Sequence, residues 1–533
     1  MIPLITRYKI TIPLLILSTI YLSTLDNYWK PVWDSALYIS LGKSIAADNS
    51  YHYMGLPHAK YPFVLPLILS PVIGLFGLNF LLMRLMIIIF AIGSMYLTYN
   101  LFKKFTDEGT ALSIMCLTGF SYTLLHASTW ILSEVPYMFF SLCALYRMTS
   151  YSEERKCLTR TGLISSLLLV TAIFTRMIGI SLFIAFICHS LLSRTIKWPF
   201  LFNAKKTLLI GVLVSLPLCL WFYRSHSISK NIPFQPEYRG VLSYEREFFL
   251  KVPDSTHSET LSPEDFVRRI INNTGKYARS TATIIVEKAP FKKVRPLIML
   301  FFIYGYCWCF IKRRTLIEYY LCFYLMICIT WWFDQQPQRF LTPVIPFIFY
   351  YFLIGLKRGM ELLFKMAVKG EKDKATMVKR AVWGMAVLLL ILANFPLTPG
   401  AIKNERRKQF HPPALVSEFF SAINWVNEHT THGSLIMSNR APWVFMLTDR
   451  RTLAWPLFEP LQNVVDSLVK NQIDYIIISP IHPDTYNLLH NFIESHPEQF
   501  LEVFHNNKTS IYKVVYENVS LFSSNKENRY KLK

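Results

Sequence analysis

Charged residues are scarce in this chain of 533 residues: they make up 17% of the sequence, whereas apolar residues make up 52%. The mean hydropathy is +0.30. A soluble protein of this length uses more charge to cover its surface. The composition therefore excludes a mostly soluble chain and predicts a polytopic membrane protein.

Several patterns that carry common chemistry are also missing. The sequence has no GxGxxG or GxxxxGK[ST] pattern, which argues against a nucleotide-driven pump. It has no HExxH or HxxxH spacing, so a zinc site is not supported. The cysteines all lie between Cys116 and Cys328, so no disulfide framework is expected in the polar C-terminal region.

The net charge of +22 would suggest nucleic-acid binding in a soluble protein. Here Lys and Arg are concentrated in short clusters between apolar runs, as the positive-inside rule requires of cytoplasmic loops. We therefore expect these basic clusters to lie beside a lipid bilayer, and we expect no nucleic-acid partner.

Eleven apolar segments approach the roughly 20 residues that a spanning helix needs. No A-x-A cleavage site follows the first one, so it is predicted to be an uncleaved span. The predicted spans are Tyr8–Leu25, Leu85–Phe102, Ala111–Leu125, Trp130–Met148, Gly162–Thr175, Met177–Leu192, Thr207–Tyr223, Val294–Ile311, Leu316–Phe333, Phe340–Leu356 and Ala381–Leu397.

A further apolar run, Tyr61–Gly77, carries Pro62, Pro66 and Pro71. If it crossed the membrane, the basic clusters near Lys103, Lys312 and the other later loops would lie outside, against the positive-inside rule. We therefore interpret it as a juxtamembrane or re-entrant element. The N-terminus is then cytoplasmic, and the C-terminal region is extracytoplasmic.

This topology places several polar regions on the external side of a transmembrane domain predicted at residues 1–397. They are the first external loop at 26–84, the helix start with Glu134, the long loop at 224–293 and the turn Asp334–Arg339. Residues 398–515 alternate helical and strand patterns and predict a small extracytoplasmic α/β domain. Its predicted helices are Pro413–Glu428, Leu461–Lys470 and Asp484–Ser495. Its predicted strands are Ser434–Ser438, Thr452–Trp455, Ile473–Ser479, Leu501–His505 and Thr509–Val515, and the Asn506-Asn507 turn could join the last two as a hairpin. Residues 516–533 form a polar tail.

Asp34 is the focal residue of the first external loop, with Trp33 and Tyr38 beside it. Since it precedes a helical run, Ser35–Ala47, it is a favourable N-cap. A carboxylate walled by aromatic residues near a membrane could also act as a general base. The two roles are compatible.

Glu134 stands at the external end of a predicted span, where an ionisable residue is costly and often functional. A glutamate in a first helical turn also interacts favourably with the helix dipole, so the alternatives remain open. A leaving phosphate at this surface would need cations. Candidates are Lys60, Arg84, Arg176 and Arg339, although for Arg84 simple snorkelling to the interface is the better interpretation.

Taken together in this order, six stretches resemble the C-type (GT-C) glycosyltransferases that use polyprenyl-phosphate sugars, relatives of protein O-mannosyltransferases and lipid A aminoarabinose transferases. The stretches are Trp33–Tyr38, Lys60–Pro62 with Pro66, Phe76–Gly77 with Arg84, Ser133–Pro136, Thr175–Gly179 and Arg339–Pro346.

The resemblance implies inverting transfer of a sugar from a polyprenyl-phosphate carrier to a hydroxyl of a glycan, lipid or protein acceptor, in the plasma (inner) membrane. Asp34 would be the base. Glu134 would orient the acceptor, assist the base or hold a divalent cation, Mg²⁺ or Mn²⁺. Lys60 and Arg339 would hold the carrier phosphate, and Trp33, Tyr38, Tyr61 and Arg176 would complete the substrate site. Protein mannosyltransferases have Asp-Glu where this chain has Asp34-Ser35, which weakens the case for a protein acceptor.

Two other functions remain open. A ligase or polymerase acting on carrier-linked oligosaccharides would also have a large external loop, but the two acidic motifs would not be expected. A transporter or noncatalytic scaffold for polyprenyl lipids would use the same basic and aromatic residues. A transporter, however, should carry ionisable residues near midspan on several helices, whereas here they gather at external ends.

Overall fold

The computed structural model describes residues 2–151, 159–192, 200–232, 243–253, 255, 258–287, 293–332, 336–367, 372–394, 399–400, 402–403, 407, 412–455, 461–481 and 483–516. Within these residues the fold is predominantly helical. The polar tail predicted at 516–533 lies outside them apart from Tyr516, as do residues 333–335 of the predicted external turn.

Helices form most of the chain up to Asn394, in the order that the apolar segments predict. They are α1 Ile2–Leu22, α2 Trp33–Asp48, α3 Val64–Phe76, α4 Phe80–Phe102, α5 Glu108–Phe120, α6 Tyr122–Ala127, α7 Glu134–Tyr151, α8 Arg160–Thr175, α9 Ile180–Leu192, α10 Phe200–Asn231, α11 Tyr244–Phe249, α12 Pro263–Ile285, α13 Arg295–Lys312, α14 Leu316–Thr330, α15 Pro337–Leu341, α16 Ile345–Ala367 and α17 Lys372–Asn394.

The remaining elements are a short hairpin and a C-terminal α/β arrangement. They are β1 His52–Tyr53, β2 Leu56–Pro57, α18 Ala414–His429, β3 Ile436–Ser438, α19 Ala441–Thr448, β4 Thr452–Ala454, α20 Leu461–Asn471, β5 Tyr475–Ile478, α21 Pro483–Glu494, β6 Phe500–Asn506 and β7 Thr509–Val514.

Contacts between residues divide the chain into two units. The first contains Met1–Lys30, Tyr61–Tyr223 and Ser262–Arg406, and the second contains Pro31–Lys60, Arg224–Leu261 and Arg407–Lys533. The domain limits predicted from the sequence, at 397 and 515, stay a prediction.

In the first unit, four helices of the described residues are long and apolar enough to cross a membrane: Phe80–Phe102, Ala204–Asn231, Arg295–Lys312 and Pro337–Leu362. Other apolar helices are shorter, α3 and α8 among them. The count of eleven spans therefore stays a prediction.

Two helices of this unit touch through glycine. A Cβ atom added at Gly305 of α13 would lie 1.9 Å from the Tyr351 carbonyl oxygen of α16, and one added at Gly355 would lie 1.9 Å from the Phe301 carbonyl oxygen. No side chain fits at either position, so the two backbones are in direct contact. Small residues allow this close approach between membrane helices.

The second unit is built around a five-stranded sheet with strand order β4-β3-β5-β7-β6. Strand β3 pairs in parallel with β4 and β5, whereas β7 pairs antiparallel with β5 and β6, with Ile477 opposite Ile511. Met437, Leu453, Ile476 and Leu468 are buried in its core. The predicted strands and helices of this region are present, with ends that shift by a residue or two.

The long region at 224–293 is not simply a loop. Helix α10, predicted to end at Tyr223, continues to Asn231, and Pro263–Ile285 forms the helix α12. Ser262 caps α12 by accepting a hydrogen bond from the Asp265 backbone N–H, and Pro263 fits its first turn. Residues 233–242 lie outside the described residues.

Candidate active site

Glu134, Arg176 and Arg339 come together in the first unit. Glu134 is buried in the first turn of α7, as predicted, and its Oε1 accepts hydrogen bonds from Arg176 Nη1 at 2.7 Å and Arg339 Nε at 2.5 Å. Arg176 Nη1 also donates to Ser133 Oγ at 3.1 Å. The sequence predicts each residue near the external face, but not that one carboxylate binds both guanidinium groups.

Arg176 is held by the way α8 ends. The helix stops at Thr175, Arg176 has extended backbone, and Met177–Gly179 form a single 3₁₀ turn. A Cβ atom at Gly179 would lie 2.8 Å from the Ile173 Cα atom, so only glycine lets the turn fold back on α8. The Thr175–Gly179 motif thus forms a turn between α8 and α9, where the sequence predicts the end of one span and the start of the next.

Arg339 lies on the short helix α15. Pro337 occupies the first turn of this helix, and Tyr324 Oη donates a 2.6 Å hydrogen bond to the Phe340 carbonyl oxygen. The Phe340 ring centroid lies 5.0 Å from the Arg176 guanidinium carbon, a distance suited to a cation–π interaction. The segment therefore positions both arginines.

The charges of this cluster favour an anion. Two permanently charged guanidinium groups surround one carboxylate, and all three side chains are at most 13% exposed. Among the described residues, no group of three or more His, Cys, Asp and Glu could hold a metal ion. A divalent cation at Glu134 would be repelled by both arginines, so the residues present do not fit a Mg²⁺ or Mn²⁺ ion there, which is one of the three roles that the resemblance allows for Glu134.

Asp34, Trp33 and Tyr38 belong to the second unit and lie on α2. The N-cap of this helix is Val32, and Asp34 is its second residue, so the predicted N-cap role of Asp34 is wrong. Because the helix begins two residues earlier than predicted, the carboxylate lies in the first turn, where the helix dipole still stabilises negative charge. Asp34 is half-buried, and Tyr38, four residues later on the same face, is buried.

Lys60 lies in the second unit and forms an ion pair with Glu247 of α11. Both side chains are 11% exposed. The Lys60 Nζ atom also lies 6.0 Å from the ring centroid of Tyr244, at the start of the same helix. Residues from the long loop therefore contact the predicted phosphate-binding lysine.

His58 and Arg224 flank Lys60. The Arg224 Nη1 donates to the His58 carbonyl oxygen at 2.8 Å, and the His58 ring meets the Tyr51 and Tyr53 rings edge to face. Burial, with Lys60 and Arg224 nearby, lowers the pKa of His58 to about 3. Burial also raises the pKa of Tyr51, and the neighbouring Tyr38 and Tyr244 add to this. These contacts link α2 to Lys60 through aromatic side chains.

Tyr61 is half-buried and begins the segment Tyr61–Tyr223 of the first unit. The following helix α3 contains Pro71. It has 13 residues and is therefore about 20 Å long. Phe63, just before it, packs on Phe174 and Trp221. Such a length is short for a span, and the re-entrant interpretation stays a prediction.

Arg84 does not snorkel to the interface, and that interpretation is wrong. It is fully buried and forms an ion pair with Asp26, and its Nη2 donates to the Thr24 carbonyl oxygen at 2.8 Å. Buried guanidinium groups require such partners, because removing them from water is costly. Arg84 thus ties α4 to the residues after α1 and is unsuited to a substrate.

Sequence reasoning missed Glu247, Tyr244 and Arg224. They lie in the long region after residue 223, where no periodic pattern indicates which polar residues turn inward. The one available signal was the aromatic and charged run Tyr244–Phe249, which is dense for an exposed loop.

No protein-family model matches the chain, and no curated protein matches it in sequence. Solved structures do match in fold. ArnT from Cupriavidus metallidurans, a lipid A aminoarabinose transferase whose structure was determined with bound undecaprenyl phosphate, has a TM-score of 0.55 and 13% identity, and the match covers 95% of this chain and 98% of that one.

A second match is the archaeal oligosaccharyltransferase AglB from Archaeoglobus fulgidus, in complex with an inhibitory peptide and dolichol phosphate. Its TM-score is 0.53 at 12% identity, over 88% of this chain and 69% of that one. AglB in complex with Zn and sulfate gives a TM-score of 0.52 at 13% identity, over 87% of this chain and 67% of that one. At these identities the likeness concerns the fold: the chain has the C-type fold of membrane glycosyltransferases.

Proposed function

We propose that the chain is an integral membrane glycosyltransferase that moves a sugar from a polyprenyl-phosphate carrier to an acceptor hydroxyl on the extracytoplasmic side. Support comes from the fold, which it shares along nearly its whole length with an enzyme crystallised with undecaprenyl phosphate. The observation that carries the proposal is the buried cluster of Glu134 with Arg176 and Arg339.

The cluster supports phosphate binding because two guanidinium groups converge on a single buried carboxylate. Glu134 fixes the two guanidinium groups, and guanidinium forks commonly donate hydrogen bonds to phosphate oxygens. The developing charge on the leaving phosphate is then stabilised by groups that need not move during the reaction. In this proposal Glu134 positions the arginines and holds no metal.

Lys60 is the other cation assigned to the carrier phosphate. It is paired with Glu247 in this structure, and both side chains are 11% exposed. A carrier phosphate would have to take the place of that carboxylate or share the lysine with it. Trp33, Tyr38 and Tyr61 complete the proposed substrate-binding residues.

Asp34 is the proposed general base. It takes the proton of the acceptor hydroxyl as that oxygen bonds to the anomeric carbon, while the bond from this carbon to the phosphate oxygen breaks. Attack from the face opposite the phosphate inverts the anomeric configuration. Half-burial in the first turn of α2 keeps the carboxylate in place and accessible to the acceptor.

The test is sugar transfer by purified protein in liposomes that contain candidate polyprenyl-phosphate sugars. Asp34→Asn removes the base but keeps the shape, and we expect a loss of roughly 10²- to 10⁴-fold in rate. Asp48→Asn, at the exposed end of the same helix, is the matched control and should keep full activity. Full activity of the Asp34 variant would overturn its assignment as base.

The same assay separates the other function classes. Transfer from carriers with one sugar supports the proposal, whereas transfer from carrier-linked oligosaccharides alone indicates a ligase or polymerase. Carrier binding or movement across the bilayer without any transfer by the wild type would indicate a transporter or scaffold.

A further inference from the structure

A polar cavity lies in the first unit, away from Glu134. Its volume is about 360 Å³, at the small end of the range for ligand pockets. The cavity lies between the connection from α4 to α5, the C-terminal end of α13 and the middle of α16. Its lining residues are Lys104, Phe105, Thr106, Asp107, Thr110, Trp308, Arg313, Ile354, Lys357, Arg358 and Glu361.

Helix α7 relates this cavity to the proposed active site. Lys104 Nζ donates to the Tyr146 carbonyl oxygen at 2.9 Å and to Ser150 Oγ at 2.8 Å, in the last turns of α7. Glu134 begins the same helix, so the two places are about 24 Å apart along its axis. By the predicted topology, the cavity faces the cytoplasm.

The lining carries an excess of positive charge. Among the described lining residues there are four cations, Lys104, Arg313, Lys357 and Arg358, and two carboxylates. Lys357 binds Asp107 at 3.2 Å, and Arg358 binds Glu361 at 2.7 Å. Within each pair the positive and the negative charge cancel. The lining thus holds more cations than carboxylates, which favours an anion such as a phosphate.

Arg313 is oriented by neutral groups. Its Nη1 donates to the Phe105 carbonyl oxygen at 3.0 Å and to Tyr350 Oη at 2.7 Å. These bonds fix the guanidinium without neutralising it. A fixed, charged fork of this kind is suited to binding the oxygens of a phosphate.

Trp308 holds the two arginines of the cavity together. The guanidinium carbon of Arg358 lies 4.1 Å from its ring centroid, and that of Arg313 lies 5.3 Å away. Cation–π contacts reduce the cost of placing like charges side by side. The indole therefore supports two guanidinium groups that an anion can contact at once.

From this charge, geometry and size we propose that the cavity binds a phosphate monoester, supplied either by a lipid headgroup of the adjacent membrane leaflet or by a soluble phosphate. The site is independent of the proposed transferase reaction, because it uses other residues at the other end of α7. Its ligand is expected to stabilise the packing of α13 against α16, since both helices line the cavity.

The test uses the full chain purified in a neutral detergent and measures the thermal unfolding midpoint during titration. The probes are dioctanoyl phosphatidic acid, dioctanoyl phosphatidylcholine and inorganic phosphate at constant ionic strength. We expect saturable stabilisation by phosphatidic acid, by phosphate or by both, and none by phosphatidylcholine. Stabilisation by the acid alone assigns a lipid headgroup, and equal saturation by phosphate assigns a soluble ligand.

Two charge variants with matched controls link the effect to the cavity. Lys104→Gln and Arg358→Gln should weaken the apparent affinity at least about tenfold. Lys103→Gln and Lys312→Gln remove the same charge outside the lining and should leave it unchanged. Arg358, whose side chain is 38% exposed, provides the test if the Lys104 variant does not fold. Unchanged affinity in the folded variants, equal stabilisation by phosphatidylcholine, or no stabilisation by any probe would overturn the proposal.

Discussion

Partners decide the behaviour of individual charged residues in this protein. His58 is fully buried between aromatic rings and near two cations, so its pKa is about 3 and its ring is neutral at physiological pH. The unfolded chain, in contrast, binds a proton at its ordinary pKa of 6.5. His58 thus makes no charge contribution to binding a phosphate, but it does make folding sensitive to acid.

We predict that acidification between pH 6.5 and about 3 destabilises the second unit. In this window the unfolded state binds a proton that the folded state excludes, so stability falls with falling pH, by at most about 1.4 kcal/mol per pH unit. His58→Gln should reduce this slope, as measured by unfolding at a series of pH values. His52→Gln in the same loop is the control. An unchanged slope in the His58 variant would refute the assignment.

The sequence predicts the positions of candidate-site residues relative to helix ends better than it predicts the contacts between them. Glu134 and Arg176 lie at a helix start and a turn, as expected, because hydropathy shows where spans end. That one carboxylate binds two arginines depends on the path of three separate helices. The Asp34 cap failed for a local reason: Val32 rather than Asp34 precedes the first helical residue, and no pattern distinguishes a first-turn Asp from a cap.

At the scale of the elements, the contact of α13 with α16 leaves no space for a side chain at its two glycines. Gly305 and Gly355 each lie against a backbone carbonyl of the other helix, so added atoms must push the helices apart. The same two helices carry the Trp308 and Arg358 side chains of the polar cavity, and Arg313 directly follows α13. The spacing of these helices therefore sets the geometry of that cavity.

We predict that Gly305→Leu strongly lowers the thermal unfolding midpoint, because a side chain of any size meets the α16 backbone. Overpacking of this kind costs about 1–3 kcal/mol or more. Gly211→Leu on α10 is the control, since a Cβ atom there has no neighbour within 4 Å. Similar midpoints for the two variants would mean that the helices separate at little cost.

Helices and strands with a strong periodic pattern could be predicted from the sequence, and interruptions could not. The C-terminal strands appear where apolar alternation places them, and Asn507 has the positive φ expected of the predicted hairpin turn. The predicted span Ala111–Leu125 instead contains a break at Ser121, between α5 and α6. Helix α19 was missed because its run of seven apolar residues also resembles a buried strand.

At the scale of the whole molecule, the charge of the loops predicts the orientation in the membrane. We predict that cysteines introduced at Lys103 and Lys312 react with a membrane-impermeant reagent only after cells are permeabilised. A cysteine at His432, exposed in the second unit, should react in intact cells. The background replaces exposed Cys219 and Cys307 by serine. External labelling at Lys103 would mean that Tyr61–Gly77 spans the membrane.

The second unit joins parts of the chain that are made at very different times. Lys43 of α2 donates to the Met446 carbonyl oxygen and pairs with Asp449, 406 residues later, and Tyr53 packs on Phe445. At about 5–20 residues per second, synthesis takes about 20–80 s to cover that distance. The segment that carries Asp34 is therefore synthesised long before its partner, and the second unit can complete its packing only when the last fifth of the chain has been made.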